Sequence, residues 1–383
     1  MIKNHLDTTS SNTAREIFGQ PDLWMRTYDL IAAQKEELNA FMDLTMTFPD
    51  LHIILIGAGT SSYIGEVLQR YIQRAMERTT EAVASTDFIS HPLDYLYNED
   101  NPILMVSFAR SGDSPESVAA IELANDHCKN LFHLIITCNP HGKLTKNMDP
   151  KNSYVLLMPP EANDKGLAMT GSFTSMLLAG LLVADLKHFA KNSGYVKVLA
   201  EYGNNILENY GEKLKKVASL GFQRVVFLGS GPLKAIARES QLKVQELSDG
   251  QVICKYDSFL GLRHGPKAVI NNSTLVVYLF SNDTFVNQYE YDLVKSINKQ
   301  KEKLYEIGIG ECIVGKSQIN LDLAIEVAAT NNIPEEFFAV CAILPGQLLG
   351  LYKSLDIGLS PDSPSTNQAI NRVVKGVNIY KRP

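Results

Sequence analysis

The chain has 383 residues, 45 % of them apolar and 20 % charged, an ordinary soluble mix and long enough for two domains with substantial cores. A formal charge of -6 argues against a nucleic-acid surface over the whole molecule and leaves room for a local basic pocket for an anionic metabolite. Five Cys (Cys128, Cys138, Cys254, Cys312, Cys341) without C-x-x-C spacing fit reduced thiols in a cytoplasm, and eight His with no HExxH and no Cys/His cluster give no reason to expect a metal or other cofactor.

Residues 1–12 read as loose, and the polar start lacks the apolar core of a signal peptide. Thr13-Ala-Arg-Glu16 has the spacing of a capping box. A helical run from Asp22 to about Thr47 then carries Trp24, Tyr28, Ile31, Leu38 and Phe41 roughly on one side, so residues 1–50 are expected to form an N-terminal helical arm. It contains no basic recognition helix of the kind a DNA-binding regulator needs.

At Ile53 the pattern becomes strand, glycine turn, hydroxyls, helix: Ile53-Ile-Leu-Ile-Gly57-Ala-Gly59-Thr60-Ser61-Ser62. This opens a parallel α/β unit. Further short apolar strands are expected at 82–85, 103–107, 133–137 and 154–158, with helices between them. An all-round apolar helix over 167–190 closes the unit. Its most apolar part, Met176 to Val183, is too short to span a bilayer and reads as buried.

The chain then repeats itself. Ile53-Ile-Leu-Ile-Gly57 aligns with Val225-Val-Phe-Leu-Gly229, and Ile103 to Phe108 aligns with Leu275 to Phe280, both at an offset of 172 residues (225 − 53 and 275 − 103). One shared offset makes the second half read as a copy of the first. The expected divisions are a first domain at 51–200, a linker helix at 201–218, a second domain at 219–358 and an extended tail at 359–383. Within the second half, strands are expected at 252–256 and 303–309, and Pro334-Glu-Glu336 opens a last long helix kinked at Pro345. The tail, with Ser360 to Pro364 and Asn371-Arg-Val-Val-Lys375, could lie over a pocket.

The strongest binding signal is Ser107-Phe-Ala-Arg110-Ser111-Gly112-Asp113-Ser114-Pro115-Glu116. Ser114 reads as an N-cap and Pro115 as the first helical residue. Free amides, two hydroxyls and the Arg110 guanidinium would then meet at a positive helix end, which suits a phosphate. Asp113 must point away from such an anion or be paired. The second half has Ser281-Asn282-Asp283 here and no basic residue, so one phosphate site per chain is expected. Gly57-Ala-Gly59-Thr60-Ser61 lacks the third glycine of a dinucleotide turn, and Thr60 and Ser61 read either as donors to the same ligand or as ordinary helix caps. In the second half Lys243 and Glu246 share one flank of a helix, away from the stripe Leu233, Ile236, Ala237, Val244 and Leu247. His264 follows on a loop stiffened by Gly265-Pro266. A carboxylate, an ammonium and an imidazole are the parts acid–base work on a sugar requires, although Glu and Lys three apart also describe a solvated face.

Over residues 50–380 the chain resembles the tandem sugar-isomerase (SIS) domains of the isomerase half of glucosamine-6-phosphate synthase. The resemblance rests on Gly57-Ala-Gly-Thr-Ser61, Arg110-Ser-Gly-Asp-Ser114, Lys243-Val-Gln-Glu246, Arg263-His264-Gly-Pro266 and Arg372-Val-Val-Lys375. The SFARSGDSPES loop and the QPDLW arm are similar to those of the AgaS group, described as tagatose-6-phosphate ketose/aldose isomerases or galactosamine-6-phosphate deaminases. That resemblance implies two flavodoxin-like parallel sheets and a homodimer. It gives Ser111 and Ser114 to the phosphate and Ser61 to the sugar side. Glu246 would carry the proton between C2 and C1, and His264, from the neighbouring subunit, would open the ring. Lys243 would steady the intermediate, and Lys375 would reach in from the tail. Where the synthase has Ser and Gln, this chain has Ala109 and Arg110, and Met169 replaces a further sugar-contacting Ser. The synthase's glutaminase domain has no counterpart. The expected activity is therefore galactosamine-6-phosphate deamination to tagatose 6-phosphate and ammonia. A plain aldose–ketose isomerase and a non-catalytic sugar-phosphate sensor are the alternatives.

Overall fold

A computed structural model describes residues 11–146, 148–300, 302–313, 318–374 and 376–380; most of the expected loose start lies outside them. The chain divides into two compact units, one of Asp22–Asp164, Met169–Gly194 and Gln368–Pro383, the other of Met1–Pro21, Lys165–Ala168 and Tyr195–Asn367.

Three helices come first: α1 (Asn12–Phe18), α2 (Gln20–Ala33) and α3 (Lys35–Met46). The expected single run to Thr47 breaks at Gln34, whose side chain accepts a hydrogen bond from the Tyr154 hydroxyl at 3.0 Å. The expected Thr13–Glu16 capping box does not form. Ser11 caps α1 by accepting from the Ala14 amide at 3.1 Å, while the Thr13 hydroxyl bonds the Asp362 carboxylate and Glu16 accepts from the amides of Lys165 and Gly166. Both side chains serve tertiary contacts that spacing alone does not reveal.

The first sheet comprises β1 (His52–Gly57), β2 (Thr80–Ala84), β3 (Ile103–Ala109), β4 (Leu131–Thr137) and β5 (Ser153–Leu157), all parallel, in the order β2-β1-β3-β4-β5. Every residue of β3 and β4 is buried, as unbroken apolar runs must be in a sheet covered on both faces. Its helices are α4 (Thr60–Met76), α5 (Ser85–Ser90), α6 (Pro92–Tyr95), α7 (Pro115–His127), α8 (Lys143–Lys146) and α9 (Gly171–Ala184). α4 packs with α9, and α5 with α7. α9 is buried along its whole length but is shorter than expected. Asp164, with no exposed surface, caps it: one carboxylate oxygen accepts from the Gly171 amide (3.1 Å), the other from the amides of Thr170 (2.8 Å) and Ser172 (2.9 Å).

α10 (Phe189–Ala218) runs without a break through the expected linker and leads to the second sheet. Here β6 (Arg224–Gly229), β7 (Ile253–Asp257), β8 (Thr274–Leu279), β9 (Tyr305–Gly310) and β10 (Leu323–Glu326) are again all parallel. Their order, β7-β6-β8-β9-β10, matches that of the first sheet strand for strand. The connecting helices are α11 (Pro232–Leu247), α12 (Phe259–Leu262), α13 (Thr284–Asn298), α14 (Glu335–Ala342) and α15 (Leu344–Asp356). The last long helix is divided at Ile343, with Pro345 in the first turn of α15. The stretch Glu335–Asp356 is long and apolar enough to cross a membrane, yet 94 % of that window is buried in the fold, so its apolarity serves the core.

Right-handed crossovers decide which helices share a face. The step β6 to β7 moves one way across the sheet, and the step β7 to β8 moves back past β6. α11 and the 258–273 connection therefore cover opposite faces. The packing agrees: Phe259 and Leu262 share a core with Val226, Leu228, Tyr278 and Leu293, while α11 lies against α14 and α15. Two glycines bring α15 close to α11. A Cβ at Gly346 would stand 2.6 Å from the Ser240 side chain, and one at Gly350 would stand 2.9 Å from the Lys243 carbonyl oxygen.

Candidate functional site

In the first sheet the chain leaves β1 and β3 in opposite directions. That reversal is where open parallel sheets bind ligands, beyond the strands' carboxyl ends. Gly59 turns at φ 56°, a left-handed geometry that favours glycine, and α4 starts directly after it. Thr60 and Ser61 are thus buried in its first turn, and the Ser61 hydroxyl contacts the Met169 sulfur at 3.8 Å. Met169 therefore lies beside the hydroxyl expected on the sugar side.

The loop after β3 has the expected shape. Ser114 stands at the N-cap of α7 with Pro115 following. Its hydroxyl makes no cap bond and lies 2.6 Å from the Ser117 hydroxyl. Among the described residues, the amides of Ser111, Gly112, Ser114 and Glu116 have no hydrogen-bond acceptor. Converging amides at a helix N-terminus make a ready anion cradle. Asp113 is paired away from it, accepting from the Lys143 amide at 3.0 Å and, more weakly, from Asn139 at 3.4 Å. Asn139 also donates to the Ser111 carbonyl at 2.7 Å, so the loop is braced from behind. Arg110, 7 % exposed, donates to the Arg372 carbonyl in the tail at 2.6 Å.

The corresponding edge of the second sheet is closed by the protein's own carboxylates. Glu290 accepts from the Ser281 amide at 3.1 Å, and Glu335 takes the Asn282 amide at 3.0 Å together with the Ser281 hydroxyl. Burial raises the pKa of both, that of Glu290 to about 7, against the opposing pull of their hydrogen bonds. The amides at the second edge are thus already taken by the protein's own carboxyl groups.

The acid–base residues lie on α11. Lys243 and Glu246 meet as expected, Nζ to Oε2 at 2.6 Å. Lys243 is not on a solvated flank, however; it is fully buried, and its ammonium also reaches Glu239 Oε1 at 3.2 Å. Burial would depress its pKa, but the charges of Glu239 and Glu246 outweigh that and raise it, so the ammonium stays protonated. Glu239 was missed in the sequence reading, although the i, i+4 spacing to Lys243 was available. Glu246 keeps 23 % of its side chain exposed, and its Oε1 has no hydrogen-bond partner among the described residues. A carboxylate anchored through one oxygen and open at the other is positioned to accept a proton.

His264 is exposed and follows α12, which covers the face of the second sheet opposite to α11. One chain therefore brings Lys243 and Glu246 together and leaves His264 on other architecture. Gly265, at φ 111°, precedes the short helix Pro266–Val269. The tail residue Thr366 is held to the loop after α11, donating from its amide (3.1 Å) and hydroxyl (2.8 Å) to Asp249. Lys375 lies outside the described residues.

Comparison with known proteins adds the following. The SIS domain family matches residues 49–185. A D-galactosamine-6-phosphate deaminase AgaS from Shewanella sp. (strain ANA-3) is 38 % identical, over 96 % of this chain and 91 % of the relative. The crystal structure of tagatose-6-phosphate ketose/aldose isomerase from Escherichia coli superposes with a TM-score of 0.89 at 35 % identity, covering 97 % of this chain and 98 % of that one. The C-terminal domain of glucosamine-fructose-6-phosphate aminotransferase from Francisella tularensis shares the fold, with a TM-score of 0.74 at 19 % identity over 92 % of this chain and 98 % of that one.

Proposed function

The chain belongs to the AgaS family of SIS-domain proteins, and from that premise we propose that it is a galactosamine-6-phosphate deaminase/isomerase. The observation that carries the reading is the Glu246 carboxylate, one oxygen on a buried ammonium and the other open.

In this reading the phosphate sits on the amides and hydroxyls of the 111–114 loop, with Thr60 and Ser61 toward the sugar. His264 opens the pyranose to the aldehyde. Glu246 takes the C2 proton, leaving a C1–C2 enolamine, and returns the proton to C1. The product is a C2 imine, and addition of water releases ammonia and leaves the ketone, tagatose 6-phosphate. The sum is amino sugar phosphate plus water to ketose phosphate plus ammonia. Lys243, with no exposed surface, acts through Glu246, holding its carboxylate in place and in charge balance. Lys375 is then the cation for negative charge developing at O1.

Three further parts belong to the proposal. Each sheet marks an SIS domain, at 51–200 and 219–358, flanked by the arm, the linker and the tail. The working form is a homodimer in which each subunit lends His264 to its partner. The setting is cytoplasmic. Assaying ammonia release from the 6-phosphates of galactosamine, glucosamine and N-acetylgalactosamine tests the activity. Ketose formation from galactose 6-phosphate, with no ammonia from any amino sugar phosphate, would leave a plain isomerase, the activity named for the Escherichia coli relative. Glu246→Gln is expected to lower kcat by roughly 10²–10⁴.

A further inference from the structure

One architecture occurs twice in this chain, and its two ligand edges are filled differently. Gly59 and Gly231 lead from β1 and β6 into the following helices, 172 residues apart (231 − 59), with nearly the same backbone: φ 56° and ψ -129° against φ 51° and ψ -129°. The chain leaves β6 and β8 in opposite directions, so the second sheet also has a crevice beyond its strands' carboxyl ends, between Gly231 and Ser281. In the first sheet the amides of Ser111, Gly112, Ser114 and Glu116 have no acceptor among the described residues. In the second, the amides of Ser281, Asn282, Asp283 and Phe285 are all taken, by Glu290, Glu335, the Ser281 hydroxyl and the Asp283 carboxylate, at 3.1, 3.0, 3.1 and 2.8 Å.

Among these acceptors Glu335 is the one that reaches in from outside the loop and its helix. It opens α14, which follows the fifth strand of the sheet. Its Oε1 takes the Asn282 amide and the Ser281 hydroxyl, and its Oε2 faces the opposite wall, where a Cβ built on Gly231 would stand 3.5 Å away. One carboxylate therefore spans the crevice. Asp164, which also follows the fifth strand of its sheet, uses both oxygens on the first turn of its own helix instead. We propose that the second sheet keeps an anion crevice of its own and that the Glu335 carboxyl fills it as a built-in ligand, which a small free monocarboxylate replaces once that side chain is cut back. Glu290 lies behind the Ser281 amide, fully buried, and a dianion there would meet its carboxyl, so the ligand class is a monoanion. The second sheet then presents α11, with Glu246, and takes no outside ligand at its switch point.

Glu335→Ala removes a methylene and a carboxylate, the equivalent of one acetate ion, so acetate is the probe. The measurement is urea unfolding of the full-length protein in sodium acetate and in sodium chloride at equal ionic strength. A ligand that binds only the folded chain, at about ten times its Kd, raises the folding equilibrium constant about elevenfold. Glu335→Ala is expected to be less stable than wild type in chloride and to gain about tenfold in that constant from acetate, whereas wild type gains less than about twofold. Acetate held by the 111–114 loop contributes to both proteins alike and cancels in the comparison. Glu335→Gln keeps the length of the side chain and its acceptor oxygen, so it should respond to acetate as wild type does. Glu335→Ser, at the first residue of a helix, covers the case in which the Ala variant does not fold in chloride. No gain from acetate in either shortened variant overturns the proposal, and so does failure of both to fold with acetate present. An acetate gain in Glu335→Gln as large as in Glu335→Ala also overturns it, since acetate would then not be using vacated space. None of these readings involves turnover, so each leaves the functional proposal where it stands.

Discussion

At the scale of single residues, the buried triad Glu239–Lys243–Glu246 determines what Lys243 can do. An ammonium with no exposed surface and a carboxylate on each side is stable only while both partners remain. Replacing Lys243 with Met leaves two carboxylates close together with nothing between them. Stability is expected to drop by about 3–5 kcal/mol, read as a lower urea midpoint at unchanged slope. Glu290 offers a second test with a definite sign. Burial raises its pKa in the folded chain from the ordinary 4.5 to about 7, so the folded state binds its proton more tightly than the unfolded state does. Its contribution is fully present below about pH 4.5 and is lost as pH rises through 7, amounting to about 3 kcal/mol at most. Glu290→Gln keeps an acceptor oxygen for Ser281 and Asn287 but does not titrate. The variant should be more stable than wild type at pH 8, and its urea midpoint should vary less between pH 5 and pH 7. A wild-type midpoint that rises over that interval would contradict the assignment. The identities of Lys243 and Glu246 were legible in the sequence. Their burial was not, because a helical pattern with one apolar stripe does not announce that a neighbouring helix will seal a second one.

That neighbouring helix is α15, and its approach is the main element-scale feature. Gly346 and Gly350 face α11 one turn apart, and a Cβ at either would fall inside contact distance of α11 atoms. Gly350→Val must push α15 off the very turn that carries the Lys243 carbonyl. Overpacking of this kind costs about 1–3 kcal/mol, and here it should also displace the Glu246 carboxyl. The expected result is a lower urea midpoint together with a reduced kcat. A variant that loses stability but keeps full kcat would show that the glycine contact only packs the domain. Elements whose residues all obey one rule were readable from the chain: β3 and β4 are unbroken apolar runs, and both lie where the sequence put them. Helix ends were less readable: α9 begins where the Asp164 carboxylate takes the amides of its first turn, from a loop residue that matches no standard cap spacing. The bond from Arg372 in the tail to the Asp164 carbonyl is one that no local spacing encodes.

For the whole molecule, the shared 172-residue offset matched one strand order occurring twice, and the helix start at Ser114-Pro115 after the third strand of the first sheet was legible in the sequence. Less visible was that the second edge is closed by Glu290 and Glu335, since their contacts come from α13 and α14. The topology also bears on assembly. Crossover handedness puts α11 and the His264 connection on opposite faces of the second sheet. The proposed homodimer, in which each subunit lends His264 to its partner, has a countable consequence by symmetry. Mixing Glu246→Gln and His264→Asn proteins, each inactive alone, and letting subunits reassort gives mixed dimers for half the population. One of the two sites in each mixed dimer then has Glu246 from one chain and His264 from the other, and is intact. Activity should recover to about a quarter of the wild-type value at the same total protein. If both residues came from a single chain, every mixed dimer would carry two damaged sites and the mixture would stay inactive. Recovery that appears only after conditions that let subunits exchange would place the shared site at the dimer interface.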